Sequence, residues 1–314
     1  MSTSPWHIVF FGTPDFAVPA LNVLLEGPDR VVTVVTQPDR GKGRGQRVIP
    51  SPVKKVALAH GLSSHQPDRV KDPSFQEEVK KLQPDLFVVV AYGQILPKSL
   101  LDVPKRGAIN VHASLLPKYR GAAPISWALL KGEKVTGITT MMMDAGMDTG
   151  DILLQSEIAI GKGETFEALH DRLAELGAQL LEETIAGLKS EKITPVSQDH
   201  SGATYAPLIK KEDGRIDWSK GAEEIDRQVR AFNPWPGAYT QWENRLLKVF
   251  GGEAQRGAPQ GENGSVNWVG TDVIEVKTGK GCYRVREVQL EGGKRLSVRD
   301  FLQGHRVQVG TVLK

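Results

Sequence analysis

The sequence predicts an α/β fold, with a doubly wound, mainly parallel sheet followed by a small C-terminal β-barrel. Two observations predict the sheet. Apolar strand-like runs alternate with helix-like segments through the first half of the 314 residues, and the run at 86–91 is apolar without a break. Such a run is typical of a central parallel strand with both faces buried. The third observation is that short β-like runs separated by glycines follow residue 245, which predicts the barrel.

The N-terminal elements follow from apolar runs and their periodicity. A turn at 12–15 leads from the first strand into a helix that ends near Leu25. The strands are predicted at 7–11, 31–36, 86–91, 108–111, 137–141 and 152–158, and further helices at 124–130 and 165–188. The long last helix has apolar residues at helical spacing, which are Phe166, Leu169, Leu173, Leu176 and Leu180.

The C-terminal elements follow a polar stretch at 189–211 that lacks helical periodicity and is interrupted by Pro195, Gly202 and Pro207. We interpret it as a linker, and divide the chain into a first domain at 1–190, a linker at 191–209 and a second domain at 210–314. A helix is expected at 222–232, and strands near 246–250, 266–269, 273–276, 283–288 and 307–312.

Composition indicates an ordinary globular protein, with 39% hydrophobic and 25% charged residues. No run approaches about 18 consecutive apolar residues, and no secretory signal pattern is present, so we expect a cytoplasmic protein without a membrane partner. The one cysteine, Cys282, excludes an internal disulfide and a cysteine-rich metal site.

The charge is unevenly distributed although the net charge is only +3. Residues 245–314 hold 12 Lys or Arg against 7 Asp or Glu, and residues 39–55 hold six basic residues against Asp39 alone. Each surplus is compatible with an ordinary solvated surface. The alternative is a polyanion held from two sides, and one such ligand for both surfaces would suit a monomer.

Three polar residues form the most informative group in the sequence. Asn110 and His112 are two positions apart at the end of a predicted parallel strand, so they project to the same side, where open α/β sheets bind ligands. Asp148 follows in the loop after the next strand. An amide donor, an imidazole and a carboxylate are what acyl transfer through an oxyanion needs. The alternative is three separate polar groups, each satisfied at its own strand end.

Other motifs point away from nucleotide and metal chemistry. The turn after the first strand lacks G-x-G-x-x-G, which disfavours NAD, and the glycines at 41–45 lack the order of a phosphate loop. That segment is better explained as a surface loop whose basic residues contact a nucleic-acid backbone. The histidines lack metal-ligand spacing, so no metal is expected.

Taken together, these residues resemble the methionyl-tRNA formyltransferase family nearly end to end. The core triplet is shared with the wider folate-dependent formyltransferases. Within that class, the basic loop and the C-terminal domain point to the methionyl-tRNA formyltransferases. The motifs are FGTPDF at 11–16, TQPDR at 36–40, GRG at 43–45, PSPV at 50–53, NVHASLLPKYRGAAP at 110–124, DTGD at 148–151 and RAFNPWPG at 230–237.

The resemblance implies a Rossmann-like catalytic domain, an OB-like C-terminal barrel that binds tRNA, and formyl transfer from 10-formyltetrahydrofolate to methionyl initiator tRNA for translation initiation. It assigns catalysis to Asn110, His112 and Asp148. It implies that the folate lies against Ser114, Leu115, Leu116 and Pro117, with Gly93, Gln94, Ile95 and Leu96 as a pterin wall. The residues expected at the tRNA are Lys42, Arg44, Arg47, Lys210 and Lys211.

Two other functions stay open at this point. A formyltransferase acting on an amino sugar or another small amine would share the triplet and the folate, but it would not need the basic barrel or Arg44. A nucleic-acid-binding barrel joined to an inactive α/β domain would not need an intact triplet.

Overall fold

The computed structural model describes residues 4–42, 47–257 and 260–314. The described chain divides into two compact units. The first contains the chain as far as Pro124, with Val135–Ala159 and His170–Ala206, and the second contains Ile125–Lys134, Ile160–Leu169 and Pro207–Lys314.

Within the described residues, nine strands belong to the first unit. Seven of them form one sheet, and the other two, β3 and β4, pair as a separate antiparallel hairpin. The strands are β1 (His7–Gly12), β2 (Arg30–Val35), β3 (Arg40–Lys42), β4 (Arg47–Ile49), β5 (Ser64–His65), β6 (Leu86–Val90), β7 (Ala108–His112), β8 (Val135–Met142) and β9 (Ile152–Ala159).

The large sheet has the strand order β5-β2-β1-β6-β7-β8-β9. The five strands from β5 to β7 pair in parallel, and β8 and β9 add an antiparallel edge. Every residue of β6 is buried, as its unbroken apolar run predicts. The predicted doubly wound, mainly parallel sheet is therefore confirmed.

Helices connect or cover these strands. Proline stands in the first turn of α1, α2 and α3, where the missing backbone N–H costs no helical hydrogen bond. The helices of the chain are α1 (Val18–Glu26), α2 (Pro52–Ala59), α3 (Pro73–Lys81), α4 (Lys98–Leu101), α5 (Pro124–Lys131), α6 (Phe166–Lys189), α7 (Ala222–Ala231) and α8 (Val298–Gly304).

The direction of winding reverses beside β1, which lies between β2 and β6 in the middle of the sheet. Hydrogen bonds join the carboxyl ends of these strands. The Thr13 hydroxyl donates to the carbonyl oxygen of Tyr92 at 2.9 Å, and the backbone N–H of Gln37 donates to the Thr13 hydroxyl at 3.2 Å. Ligands of open α/β sheets bind at this edge.

The second unit is built on an antiparallel sheet in the order β10-β11-β14-β13-β12, with β15 paired to β14. A single apolar core lies within it and includes Trp218, Tyr283 and Phe301. The strands are β10 (Ala238–Trp242), β11 (Arg245–Gln255), β12 (Val266–Val269), β13 (Ile274–Lys277), β14 (Cys282–Leu290) and β15 (Arg295–Ser297).

The last four residues join the two edges of this sheet. Lys314 exchanges two backbone hydrogen bonds with Gln241 of β10, at 2.7 and 3.1 Å. On the other side, the N–H of Val266 donates to Thr311 at 2.8 Å and the N–H of Leu313 donates to Gly264 at 2.9 Å. The terminal segment thereby closes the sheet into a barrel, and an antiparallel C-terminal barrel is what the sequence predicts.

The predicted strand at 307–312 is wrong. Of these residues only Val312 pairs, in an isolated bridge with Ser265, while Gly310 has a φ of 87° and turns the chain. A β-rich pattern with a glycine in it predicts a strand here, but the left-handed φ of Gly310 breaks the ladder. The strands that the sequence does not predict are β10 and β15 in this unit and β3, β4 and β5 in the first unit.

The stretch at 191–209 has its own contacts, although it has little regular structure. Val196 forms an isolated bridge with Ile152, and Tyr205 forms another with Arg120. A single 3-10 turn spans His200–Gly202. The backbone as far as Ala206 therefore belongs to the first compact unit. The division of the chain into functional domains stays a prediction.

Candidate active site

Asn110 and His112 lie at the carboxyl end of β7 and face one carboxylate. The Nδ2 of Asn110 lies 3.5 Å from Oδ1 of Asp148, and Nδ1 of His112 lies 3.7 Å from Oδ2 of the same residue. The His112 side chain is buried, and that of Asp148 is less buried. The structure thus brings together the three residues that the sequence analysis grouped.

Two backbone features hold Asp148 in position, its own conformation and a hydrogen bond from Gly121. The φ of Asp148 is +54°, a left-handed conformation that is uncommon for a residue other than glycine. The backbone N–H of Gly121 donates to Oδ2 of Asp148 at 2.8 Å. A charge-assisted bond of this kind orients the carboxylate, and it leaves Oδ1 on the side of Asn110.

The imidazole of His112 has a second contact, since its Nε2 lies 3.0 Å from the carbonyl oxygen of Tyr119. A carbonyl only accepts hydrogen bonds, so this contact requires a proton on Nε2. In the neutral ring, the lone pair is then on Nδ1, which faces Asp148. The nitrogen that can take a proton is therefore the one beside the carboxylate.

Two functional side chains that the sequence analysis did not single out lie behind Asp148. Nε and Nη2 of Arg120 donate to Oε1 of Gln198 at 3.2 and 2.6 Å. Nε2 of Gln198 donates to the carbonyl oxygens of Asp148 and Gly150 at 3.0 and 2.7 Å. Arg120 lies within the family motif at 110–124, which is a usable signal, whereas nothing in the polar stretch distinguishes Gln198.

The residues expected at the folate lie after neighbouring strands. Gly93 to Leu96 follow β6, and Ser114 to Pro117 follow β7, which pairs with β6 in parallel. Ile95 is 77% exposed, whereas the side chains of Leu96, Ser114 and Leu116 are buried.

Several of these residues shape the loops in which they lie. The Ser114 hydroxyl donates to the carbonyl of Lys118 at 2.6 Å. Gln94 accepts a hydrogen bond from the N–H of Val70 at 3.0 Å, so its side chain fixes the neighbouring loop. Gly93 and Ile95 are exposed, and Gln94, Leu115 and Pro117 are half-buried.

The basic residues expected at the tRNA are described only in part. Lys210 and Lys211 are exposed and lie at the start of a 3-10 turn. Lys42 is the last residue of β3, and Arg47 is the first residue of β4. Arg44 lies outside the described residues. Next to this hairpin, the ammonium group of Lys54 bonds to Asp39 at 2.5 Å, and with the Gln66 amide it lowers the pKa of the Asp39 carboxyl.

Within 4–42, 47–257 and 260–314, no group of three or more His, Cys, Asp or Glu side chains is placed to hold a metal ion. In the same ranges, no helix combines the length and the apolar character needed to cross a membrane.

The arrangement can support attack of an amine on a carbonyl-type carbon. The Asn110 amide can donate to an oxyanion. Nδ1 of His112 can take a proton, and the carboxylate of Asp148 at 3.7 Å then stabilises the cationic ring. The three side chains lie at the sheet edge where ligands bind, and none of them is a serine or a cysteine.

The fold and this site define a formyl transferase. The sequence profile named formyl transferase matches residues 6–185, and that of the formyl transferase C-terminal domain matches residues 208–306. The chain belongs to the formyl transferase family.

Among its relatives are proteins named methionyl-tRNA formyltransferase. The protein of that name from Citrifermentans bemidjiense is 53% identical over 307 residues, which is 98% of this chain and 96% of that protein. The one from Geobacter sulfurreducens is 51% identical over 307 residues, again 98% of this chain and 96% of that protein.

Solved structures share the fold at low sequence identity. The N-formyltransferase from Helicobacter canadensis, in complex with folinic acid and dTDP-3-aminofucose, has a TM-score of 0.67 at 18% identity and covers 93% of this chain and 100% of its own. HypX from Aquifex aeolicus, in complex with tetrahydrofolic acid, has a TM-score of 0.63 at 16% identity and covers 98% of this chain and 51% of its own.

Proposed function

We propose that this protein transfers the formyl group of 10-formyltetrahydrofolate to the α-amino group of methionyl initiator tRNA. The product is N-formylmethionyl-tRNA for translation initiation. The observation that carries the proposal is the convergence of Asn110, His112 and Asp148 at the carboxyl end of β7, in a chain about half identical to proteins named for this reaction over nearly their whole length.

The formyl donor fits the sheet edge after β6 and β7. Ile95 is 77% exposed, the most of the large apolar side chains in the described residues, and a flat pterin ring would cover it. Gly93 is exposed two residues before Ile95, and the segment from Ser114 to Pro117 lies after the adjacent strand. In this proposal the formyl group lies near the ends of the side chains of Asn110 and His112.

In the reaction, the neutral amine of the methionyl ester attacks the formyl carbon and its N–H proton is lost. Nδ1 of His112 is the acceptor that the geometry offers, because Nε2 is engaged with Tyr119. The Asn110 amide donates to the oxygen on which negative charge develops. The protonated ring of His112, stabilised by Asp148, then returns the proton to the departing nitrogen of the donor.

The acceptor tRNA is bound through basic residues of both units in this proposal. Exposed Lys210 and Lys211 contact its backbone, and so do Lys42, Arg44 and Arg47. Phosphate contacts of this kind orient a nucleic acid without reading its sequence. We further propose that the protein acts as a monomer in the cytoplasm, because a charged tRNA is a cytoplasmic substrate and one molecule carries both basic surfaces.

The functional domains follow from the same proposal. Residues 1–190 bind the folate and carry the catalytic triplet, residues 191–209 connect the domains, and residues 210–314 bind tRNA. Light scattering at the concentration used in the assay tests the monomer, and a second species that alone is active would exclude it.

The experiment that tests the function supplies 10-formyltetrahydrofolate with a labelled formyl group and three acceptors in parallel. They are methionyl initiator tRNA, the same tRNA without methionine, and a set of small amines that includes an amino sugar. Label on the charged tRNA alone is the expected result. Label on an amino sugar would support the small-amine alternative, and label on no acceptor would leave only a binding protein.

A further inference from the structure

We propose that Arg120 and Gln198 are positioning residues that hold the Asp148 carboxylate against His112 and Asn110. The inference rests on the proposed function, since it concerns how the same site is assembled. Neither side chain touches the reacting groups. Their effect passes through the backbone of Asp148 and Gly150, whose carbonyl oxygens accept hydrogen bonds from one amide group.

Arg120 fixes the orientation of the Gln198 amide. The Gln198 side chain is 6% exposed, and the guanidinium of Arg120, 2% exposed, donates two hydrogen bonds to Oε1. A guanidinium only donates, so Oε1 must face Arg120 and Nε2 must face the opposite side. The buried cation thereby fixes which end of the amide points toward the loop of Asp148.

The oriented Gln198 amide holds the backbone of the Asp148 loop. Nε2 of Gln198 uses its two N–H groups on the carbonyls of Asp148 and Gly150, two residues apart. These bonds bracket Thr149 and stabilise the left-handed conformation of Asp148, with its φ of +54°. Strained backbone of this kind persists where its surroundings determine it from several sides.

The residues on either side of Arg120 contact the triplet directly. The Tyr119 carbonyl lies 3.0 Å from Nε2 of His112, and the Gly121 N–H donates to Oδ2 of Asp148 at 2.8 Å. The tripeptide 119–121 thus contacts both members of the His–Asp pair and, through Gln198, the backbone that carries Asp148. A shift of Arg120 moves all three contacts together.

The segment that contains Gln198 also supports this tripeptide through backbone hydrogen bonds. The N–H of Arg120 donates to Thr204 at 2.9 Å, and the N–H of Ala206 donates to Arg120 at 2.7 Å. Gly121 has a φ of +120°, and a Cβ there would meet the Ala206 carbonyl oxygen at 2.8 Å. Residues 198–206 therefore form one support with the tripeptide, behind the catalytic carboxylate.

Gln198→Glu is the test variant, with Gln228→Glu as its matched control. The glutamate at 198 keeps an acceptor for Arg120 but loses both donors to Asp148 and Gly150. Gln228, 8% exposed in the second unit, makes the same pair of bonds, from its Nε2 to the carbonyls of Asp213 and Arg215 at 2.9 and 3.0 Å. Both changes place a carboxylate against two buried carbonyls, and the glutamate at 198 also faces the guanidinium of Arg120.

We expect Gln198→Glu to lower kcat by about 10- to 100-fold, the range seen when groups that orient a catalytic residue are removed, while KM for the formyl donor changes little. Gln228→Glu should leave kcat unchanged. In a double-mutant cycle of Gln198→Met with Arg120→Met, the double variant should lose no more activity than the worse single variant. An unchanged kcat in folded Gln198→Glu and Gln198→Met would overturn the proposal.

A readout that does not need turnover separates this inference from the proposed function. Hydrogen exchange of the Gly121 amide reports its bond to Asp148, whichever acceptor the enzyme uses. Protection of this amide should fall at least tenfold in Gln198→Glu and stay unchanged in Gln228→Glu. Equal protection in wild type and Gln198→Glu would exclude the positioning role even if methionyl-tRNA is confirmed as the acceptor.

Discussion

The imidazole of His112 and the backbone carbonyl of Tyr119 are joined by a contact of 3.0 Å at Nε2, which leaves Nδ1 as the nitrogen beside Asp148. The contact spans only seven residues of the chain, and it commits the ring to one tautomer when it is neutral. In the proposed reaction, the side of the ring that exchanges protons with the substrate is thereby set by the turn after β7.

Replacing His112 by Asn should lower kcat by about 10²- to 10⁴-fold, because an amide near the position of Nδ1 cannot take up the proton of the attacking amine. Single-turnover formyl transfer measures the chemical step directly. His60→Asn is the control, since His60 also has a ring nitrogen 3.0 Å from a backbone carbonyl, that of Val56, but lies on an exposed helix end. Equal rates in the two variants would remove His112 from the chemistry.

Replacing Gly150 by Ala should displace the loop of Asp148. A Cβ at this position would lie 1.9 Å from the Met142 carbonyl oxygen, a distance at which the backbone must move. We expect a loss of about 1–3 kcal/mol in the free energy of unfolding, as for other overpacked sites, together with reduced kcat. Urea denaturation and turnover are the measurements. Gly304→Ala is the control, because nothing lies within 4 Å of its Cβ.

Replacing Arg44 by Ala should weaken the use of charged tRNA and leave the affinity for a folate analogue nearly unchanged. The reason is that a basic residue before β4 contributes to a phosphate contact and not to the pterin wall. Equilibrium binding at several salt concentrations checks this, since each lost phosphate contact lowers the slope of log K against log salt by roughly 0.7 to 0.9. An equal loss for both ligands would mean that the segment is structural.

The Cys282 thiol should resist alkylation in the native protein. Burial, followed by the charge of Glu275, raises the pKa of Cys282 from 9.0 to about 11. At pH 8 only about one thiol in a thousand is then ionised, and the thiolate is the reactive form. Labelling with iodoacetamide, followed by mass spectrometry, should show modification only after unfolding.

The same shift predicts a pH dependence of stability. The pKa of Cys282 is higher in the folded state, so its contribution is fully present below pH 9 and is lost as the pH rises through about 11. The decline in unfolding free energy over this window should be shallower in Cys282→Ala. A thiol that reacts at pH 8 without denaturant would contradict both expectations.

Replacing Leu313 by Ala should destabilise the second unit by about 2–5 kcal/mol, the usual cost of a buried Leu-to-Ala change. Leu313 is buried in the core that the terminal segment closes, whereas Val309, four residues earlier, is exposed. Thermal unfolding of Leu313→Ala and Val309→Ala compares the two. Similar stabilities would mean that the terminal segment contributes little to the barrel.

The sequence predicted what depends on apolar pattern and strand geometry. The run at 86–91 indicated the buried strand β6, and the two-residue spacing of Asn110 and His112 indicated a shared face at the end of β7. The pairing of Asp148 with them depended on the family resemblance, because periodicity does not encode where a loop 36 residues further along the chain, beyond α5 and β8, comes to lie.

The features that were missed depend on contacts between distant segments. β15 has only three residues, too few for a visible alternation, and it is stabilised by its pairing with β14. Gln198 lies in a stretch with no helical or strand period, and its role comes from side-chain bonds to residues 48, 50 and 78 positions away. Such bonds leave no local pattern.

The segment from Gln198 to Ala206 bears on where the catalytic part of this protein can be cut. A fragment that stops at residue 190 contains Asn110, His112 and Asp148, yet it leaves out the amide that bonds to the Asp148 loop and the backbone that bonds to Arg120. A shortened enzyme expressed for inhibitor screening therefore needs an end point beyond Ala206. A shorter product would keep every reacting side chain but would lose the hydrogen bonds that hold the Asp148 loop and Arg120.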